Sequence, residues 1–185
     1  VDRRPEYVTG RNELWFSADG SRVASAVTRQ EVGQRSTTVK FWDARTGEEL
    51  ASIPLPDEFT SGVSISPDGS HIAYSSSTDG TEPGLSVKIL DVASPEQTVT
   101  LPFAGLVSFR FSPDNKRIFV SGVANGSSRL SQELGGGVFD VTSGEKIFSL
   151  PIFSPWLLSR FSPDGQLFAV CLASRQRSVS LFSTA

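Results

Sequence analysis

The chain has 185 residues, 38% of them hydrophobic and 20% charged, which places it among globular proteins with length enough for a sizeable core. Seventeen Lys and Arg against 20 Asp and Glu give a net charge of −3, which excludes a broadly basic nucleic-acid binder. No apolar run approaches the roughly 20 residues that a membrane-spanning helix needs, so no membrane partner is expected.

In chain order, Pro5–Thr9 reads as a lone strand, and a turn follows at Phe16-Ser-Ala-Asp-Gly20. Nearly the same turn recurs as Ile65-Ser-Pro-Asp-Gly69, Phe111-Ser-Pro-Asp-Asn115 and Phe161-Ser-Pro-Asp-Gly165. The four copies lie 49, 46 and 50 residues apart. Each residue type has its own reason to be there. Pro presets φ early in the turn, Asp accepts local amides, and Gly takes a positive φ. Asn115 replaces Gly in the third copy and is the residue that best tolerates that conformation. Ala18 replaces Pro in the first.

Before each turn the residues alternate, as in Phe109 and Phe111 against Ser108 and Arg110, the pattern of a strand with one drier face. After each turn come Arg22–Val27, His71–Tyr74, Arg117–Val120 and Leu167–Val170. These read as strands held between neighbouring sheets, apolar on both faces. A third strand then ends in Asp at Asp43, Asp91 and Asp140, where the carboxylate suits a turn. Fourth strands are expected at 49–54, 97–101 and 146–150. The last copy, Val179–Ser183, stops before any such turn.

A period near 50 built from short strands signals radially repeated sheets. The expected fold is all-β: a β-propeller of about four four-stranded antiparallel blades, or half of a seven- or eight-bladed ring. It forms a single unit over residues 1–185, with repeats at about 11–56, 57–102, 103–151 and 152–185. The segment 5–9 would complete the three-stranded last blade and so remove an open edge. The chain holds no methionine and starts at Val1, as expected of a segment cut from a longer protein.

The turn followed by an apolar strand and by Val39-Lys-Phe-Trp-Asp-Ala-Arg-Thr-Gly-Glu48 resembles the WD40-type propeller repeat over nearly the whole chain. Only Trp42-Asp43 shows the Trp-Asp pair and no Gly-His dipeptide occurs, so the resemblance is to a degenerate, bacterial-style member. It implies a non-catalytic platform for a protein or peptide partner. An accessory propeller of a larger hydrolase or kinase is the alternative, as is a structural module that self-associates into a larger ring. Three ways of closing the ring stay open: further blades in a longer chain, two copies making eight blades, or four blades closing alone.

Propeller work is done on loops. Leu55-Pro56, Leu101-Pro102 and Leu150-Pro151 lead into loops carrying Phe59, Phe103, Phe153 and Trp156. These aromatics suit either a contact ring for a partner or packing between blades. The loops 28–38, 76–86, 124–136 and 174–178 carry Arg29, Arg35, Arg129, Arg175 and Arg177, candidates for an acidic or phosphorylated partner. Glu31, Asp79, Glu82 and Glu133 leave those loops nearly neutral, so a solvated rim is the competing reading. The resemblance puts both loop sets on one rim.

No enzyme activity is expected. His71 is the only histidine and opens a strand, and Ser70 and Asp68 beside it read as turn residues. No residue spacing suits zinc or calcium, and no cofactor is expected. Gly135-Gly-Gly137 precedes a strand, where it would let the chain turn tightly. Cys171 is the single cysteine, expected as a buried strand thiol. With no internal disulfide possible, a reducing and hence cytoplasmic location is expected.

Overall fold

The computed structural model describes residues 13–31, 34–55, 62–77, 85–102, 106–123, 136–150, 158–171 and 179–184. They form fifteen strands in four antiparallel sheets, each built from consecutive strands. The first blade holds β1 (Glu13–Phe16), β2 (Arg22–Glu31), β3 (Gln34–Asp43) and β4 (Glu49–Leu55). The second holds β5 (Val63–Ile65), β6 (His71–Ser77), β7 (Leu85–Asp91) and β8 (Thr98–Pro102). The third holds β9 (Leu106–Phe111), β10 (Arg117–Val123), β11 (Gly137–Asp140) and β12 (Lys146–Ser149). The fourth holds β13 (Leu158–Phe161), β14 (Leu167–Cys171) and β15 (Val179–Ser183). The expected three-stranded last blade is therefore present. The strand expected at 5–9 lies outside the described residues.

A sheet that is apolar on both faces must find a neighbour on each side. Three buried clusters supply three such junctions. Ala24, Val39, Phe41 and Leu55 of the first blade meet Val63, Ile65, Ile72 and Tyr74 of the second. Ala73, Val87, Ile89 and Leu101 on the far face of the second blade meet Phe111, Ile118, Val120 and Phe139 of the third. Phe119, Val138 and Leu150 of the third meet Phe168 and Val170 of the fourth. In that last junction the Phe168 ring lies 4.5 Å from Phe119 and 4.7 Å from Phe161 between centroids, tilted against both. The Leu of each Leu-Pro pair is thus a core residue.

The expectation of strands apolar and covered on both faces holds only for the two middle blades. In β10, the consecutive residues Ile118, Phe119 and Val120 are all buried. In β2, Ala24 and Ala26 are buried while Val23, Ser25 and Val27 are only half-buried. The reason is positional, since no sheet among the described residues covers the outer face of the first or the fourth blade. Cys171 corrects its expectation in the same way. It is half-buried, because alternation in β14 turns Phe168 and Val170 toward the third blade and Cys171 outward.

Two further expectations change. The segment 28–38 was expected as a loop, yet β2 and β3 extend through most of it, pairing Thr28 with Thr37 and Glu31 with Gln34. The buried hydroxyls of Thr28 and Thr37 lie 3.1 Å apart and hydrogen-bond each other, which supports the extended hairpin. Gly137 is set by crowding rather than by a tight turn. A Cβ there would lie 2.9 Å from the Phe148 carbonyl oxygen.

Truncating Phe168 empties the centre of the third junction. Phe168→Ala is expected to cost about 3–5 kcal/mol in urea unfolding, the range for a fully buried ring. A loss below about 1 kcal/mol would show that the fourth blade does not depend on this junction.

Candidate functional site

The strand registers sort the connections into two rims. Arg22 pairs with Asp43, His71 with Asp91 and Arg117 with Asp140, so the repeated turns and the Asp turns share one end of the blades. Leu55 pairs with Thr37, Pro102 with Ser86 and Ser149 with Gly137, so the Leu-Pro loops leave from the other end, beside the connections between second and third strands. The shared loop rim implied by the resemblance agrees with these registers.

The turn rim is built from one hydrogen-bonded unit used four times. The hydroxyls of Ser17, Ser66, Ser112 and Ser162 donate to Asp19, Asp68, Asp114 and Asp164 over 2.5–2.7 Å. Each of these hydroxyls accepts the amide that opens the next strand, from Arg22, His71, Arg117 and Leu167, at 2.9–3.0 Å. The same carboxylates accept the amides of Ser21, Ser70, Lys116 and Gln166. Gly20, Gly69, Gly165 and Asn115 have φ between 61° and 73°, as the turn requires. The second set of carboxylates is committed likewise. Asp43 accepts from Arg45 and Thr46, Asp91 from Ala93 and Ser94, and Asp140 from Thr142 and Ser143.

These bonds stabilise the charged form of the acids. The Ser17 hydroxyl, then the Ser21 amide and hydroxyl, lower Asp19 to about 2. Asp43 is lowered by the Thr46 and Arg45 amides, and Asp140 by the Ser143 amide despite its partial burial. Asp164 is lowered by the Ser162 hydroxyl and the Gln166 amide. At Asp68 burial pushes the other way, and the Ser70 amide with the Ser66 and Ser70 hydroxyls outweighs it.

Adjacent turns are linked to one another. The Ala18 amide donates to the Pro67 carbonyl at 2.7 Å. The Asp68 amide donates to Asn115 Oδ1 at 3.1 Å. The Arg117 Nη1 donates to the Gly165 carbonyl at 3.3 Å. Beside the first link, Ser17, Ala18, Asp19, Ser21, Arg22, Pro67 and Asp68 line an open depression of about 290 Å³. His71, Ser70 and Asp68 do meet, with Ser70 Oγ 2.7 Å from His71 Nδ1 and 2.8 Å from Asp68 Oδ1. The serine stands between the other two, whereas a nucleophilic triad needs the imidazole there to take the serine proton. Among the described residues no group of three His, Cys, Asp or Glu is placed to hold a metal ion.

Of the residues expected to bind a partner, Arg29 is exposed on β2, opposite Ser36. Arg35 lies on β3 opposite Gln30, so both belong to the tip of the first blade's β2–β3 hairpin. Phe59, Phe103, Phe153, Trp156, Arg129, Arg175 and Arg177 lie outside the described residues. Sequence reasoning missed a band of buried hydroxyls under the loop rim: Thr28, Thr37, Ser75, Ser76, Ser86 and Ser121. Ser75 Oγ accepts the Gly62 amide at 3.1 Å, tying the entry of β5 to β6. Their signal was small polar residues at strand ends where apolar ones would be expected.

No family model matches the chain, and no curated protein matches it in sequence. Solved structures do resemble it. The β-propeller domain of the Trilobed protease from Pyrococcus furiosus matches with a TM-score of 0.60 and 15% identity, over 87% of this chain and 48% of that one. The Pyrococcus horikoshii acylaminoacyl peptidase gives 0.62 and 14%, over 94% and 30%. The β-propeller domain of Cps50 (Swd1) from Myceliophteria thermophila gives 0.51 and 15%, over 92% and 50%. The likeness carries the fold alone, a β-propeller, and the chain spans half or less of each of these structures.

Two outcomes follow from the turn rim. Because the folded pKa of Asp19 lies below its unfolded value of about 3.9, its contribution to stability is present above about pH 4 and is lost as pH falls toward about 2. Carbon-detected NMR titration should place the Asp19 carboxyl near pH 2 and show it rising toward 4 in Ser17→Ala; an unchanged midpoint would remove the serine as the cause. Asn115→Ala should cost about 2 kcal/mol, from left-handed strain and the lost bond to the Asp68 amide, while Asn115→Gly should cost at most about 1 kcal/mol. Equal losses in urea unfolding would show that φ is not what selects Asn.

Proposed function

We propose that this chain is a non-catalytic, WD40-like β-propeller scaffold whose loop rim binds a protein or peptide partner. The observation that carries the reading is the commitment of the repeat's conspicuous carboxylates to their own turns. Asp19, Asp68, Asp114 and Asp164 each hold local hydroxyl and amide donors, which leaves them structural work rather than proton transfer. The registers that send the Leu-Pro loops and the connections between second and third strands from one end support a single binding rim. Phe59, Phe103, Phe153 and Trp156 supply its aromatic contacts, and Arg29, Arg35, Arg129, Arg175 and Arg177 suit an acidic or phosphorylated segment. A single cysteine fits a cytoplasmic setting.

A second reading has its own support. The similar structures include a propeller domain of a protease and a peptidase, so an accessory propeller beside a catalytic domain suits the same rim. Substrate entry would then be what the rim controls.

The test is affinity capture of partners with quantitative mass spectrometry. Trp156→Ala should weaken binding of a captured partner by about 30-fold, the effect of a 2 kcal/mol hot spot, with an unchanged circular dichroism spectrum and melting temperature. Unchanged affinity, or loss of folding, would strike Trp156 from the rim.

A further inference from the structure

We propose that β8, the free edge of the second blade, pairs antiparallel with β8 of a second copy of this chain and joins two blades into one continuous sheet. The inference concerns a blade edge, not the loop rim, and does not depend on the partner-binding reading. β8 ends the order β5-β6-β7-β8, so within its sheet it bonds only to β7. A free edge offers unpaired amides and carbonyls to any strand that fits, and proteins commonly blunt it with bulges, charges or proline.

The three fourth strands differ in this respect. In β4 the register to β3 shifts between Phe41 and Trp42, Glu49 forms an ion pair with Lys40, and Pro54 has no N–H. In β12 the register to β11 shifts between Val138 and Phe139, and the strand is only four residues long and opens on Lys146. β8 has none of these devices before its last residue, Pro102. Its register to β7 runs unbroken from Leu90–Thr98 to Ser86–Pro102. Thr98-Val99-Thr100-Leu101 is uncharged and rich in β-branched residues, which favour strands.

The register also fixes which backbone groups are free. The Asp91 amide donates to the Gln97 carbonyl at 3.4 Å, which makes Asp91–Gln97 a hydrogen-bonded pair. Bonded and non-bonded pairs alternate along an antiparallel ladder. Val99 and Leu101 therefore bond to Ile89 and Val87, while Thr98 and Thr100 aim their N–H and C=O away from β7. Pro102 falls on an outward position, where it costs the ladder no donor. Thr98 and Thr100 are exposed, and Val99 is half-buried against the junction with the third blade.

A second copy fits this edge because Thr98-Val99-Thr100 reads the same in both directions. About a two-fold axis at Val99, Thr98 of one copy meets Thr100 of the other. Each such pair exchanges its amide and carbonyl bonds, so every outward amide of the two threonines finds an acceptor. Threonine opposite threonine is a favourable cross-strand pair, and no charge opposes its like. The same patch serves both copies, so the contact closes at two and does not run on.

The test is the mass of the 185-residue chain by light scattering, read beside amide exchange by NMR. The contact is short, five residues from each copy, so association is weak and the range must reach about 10–500 μM. Mass should rise from 19.9 kDa toward twice that value. Over the same range the Thr98 and Thr100 amides should gain at least about tenfold protection, while Val99 and Leu101 stay protected throughout. Thr100→Pro deletes an outward N–H, leaves the ladder to β7 intact, and should give a folded monomer by circular dichroism. A Thr98→Glu, Thr100→Glu variant and a Thr98→Lys, Thr100→Lys variant should each be monomeric through like-charge repulsion. Mixed one to one, those two should dimerise, because each Glu then faces a Lys. A wild type that stays at 19.9 kDa, a mass that grows beyond two copies, or a dimer that survives Thr100→Pro would each overturn the proposal. A monomer whose Thr98 and Thr100 amides are protected only by an added extended peptide would also overturn it, and would assign the edge to another protein's strand.

Discussion

A blade of this chain cannot bury both of its faces by itself, and the rest of the architecture answers to that constraint. Each sheet is three or four short strands wide, too small for an independent core. Strands such as β10 carry apolar residues at consecutive positions, so one face covered still leaves the other wet. Stability therefore resides in the junctions more than in the sheets, and it accumulates as neighbours are added. A fully buried Val, Ile, Leu or Phe contributes about 1.5–3 kcal/mol. Ile72, Val87, Ile118, Val120, Val138, Phe168 and Val170 are all essentially sealed at junctions. Among the described residues, the equivalent positions Phe16 and Leu181 on the first and last blades are exposed.

Local chemistry and junction chemistry are kept apart in the chain. The turn unit of Ser, Asp and Gly satisfies its own donors and acceptors within about six residues. Its strands can then reverse without drawing on the core. Even the last copy keeps part of the scheme where it departs in sequence. Thr184 donates its amide to Gln166, as Ala44 does to Ser21, although Ser183 stands where the other blades have Asp. The opposite end of the blades follows another rule. Small buried hydroxyls cap the core there, and the connections above them differ in length and composition from blade to blade.

How much of this could be read from the residues follows the same division. The four turns, the three Asp turns, the positive φ at Asn115 and the three-stranded last blade are encoded within a few residues of each other, so pattern and spacing reveal them. The extension of β2 and β3 through 28–37 is not local, because it depends on Thr28 meeting Thr37 across a hairpin. The half-burial of Cys171 is not local either. Phe168 and Val170 beside it do belong to a core, whereas the other face of the strand is covered by no sheet among the described residues. The candidate site was the least legible part. Its aromatics and arginines sit where sequence varies between repeats, so no period constrains their geometry, and only Arg29 and Arg35 fall on described strands.

The departures from the repeat carry as much structural meaning as the repeat does. Proline in the third position of the turn fixes φ but has no N–H to donate. Ala18 has one, and it reaches the Pro67 carbonyl of the next blade. Glycine in the fifth position suits a positive φ but has no side chain. Asn115 tolerates that φ, and its Oδ1 accepts the Asp68 backbone amide of the preceding blade. Arg117 makes the third link, to Gly165, while holding Asp114 in an ion pair. Four identical turns would each be satisfied internally and would leave the blades joined through apolar contact alone, which tolerates sliding. Polar links at defined atoms fix the angle and register of one blade against the next. Divergence within the repeat thus makes the turn rim a continuous frame, and that frame sets where the loops at the far end are presented.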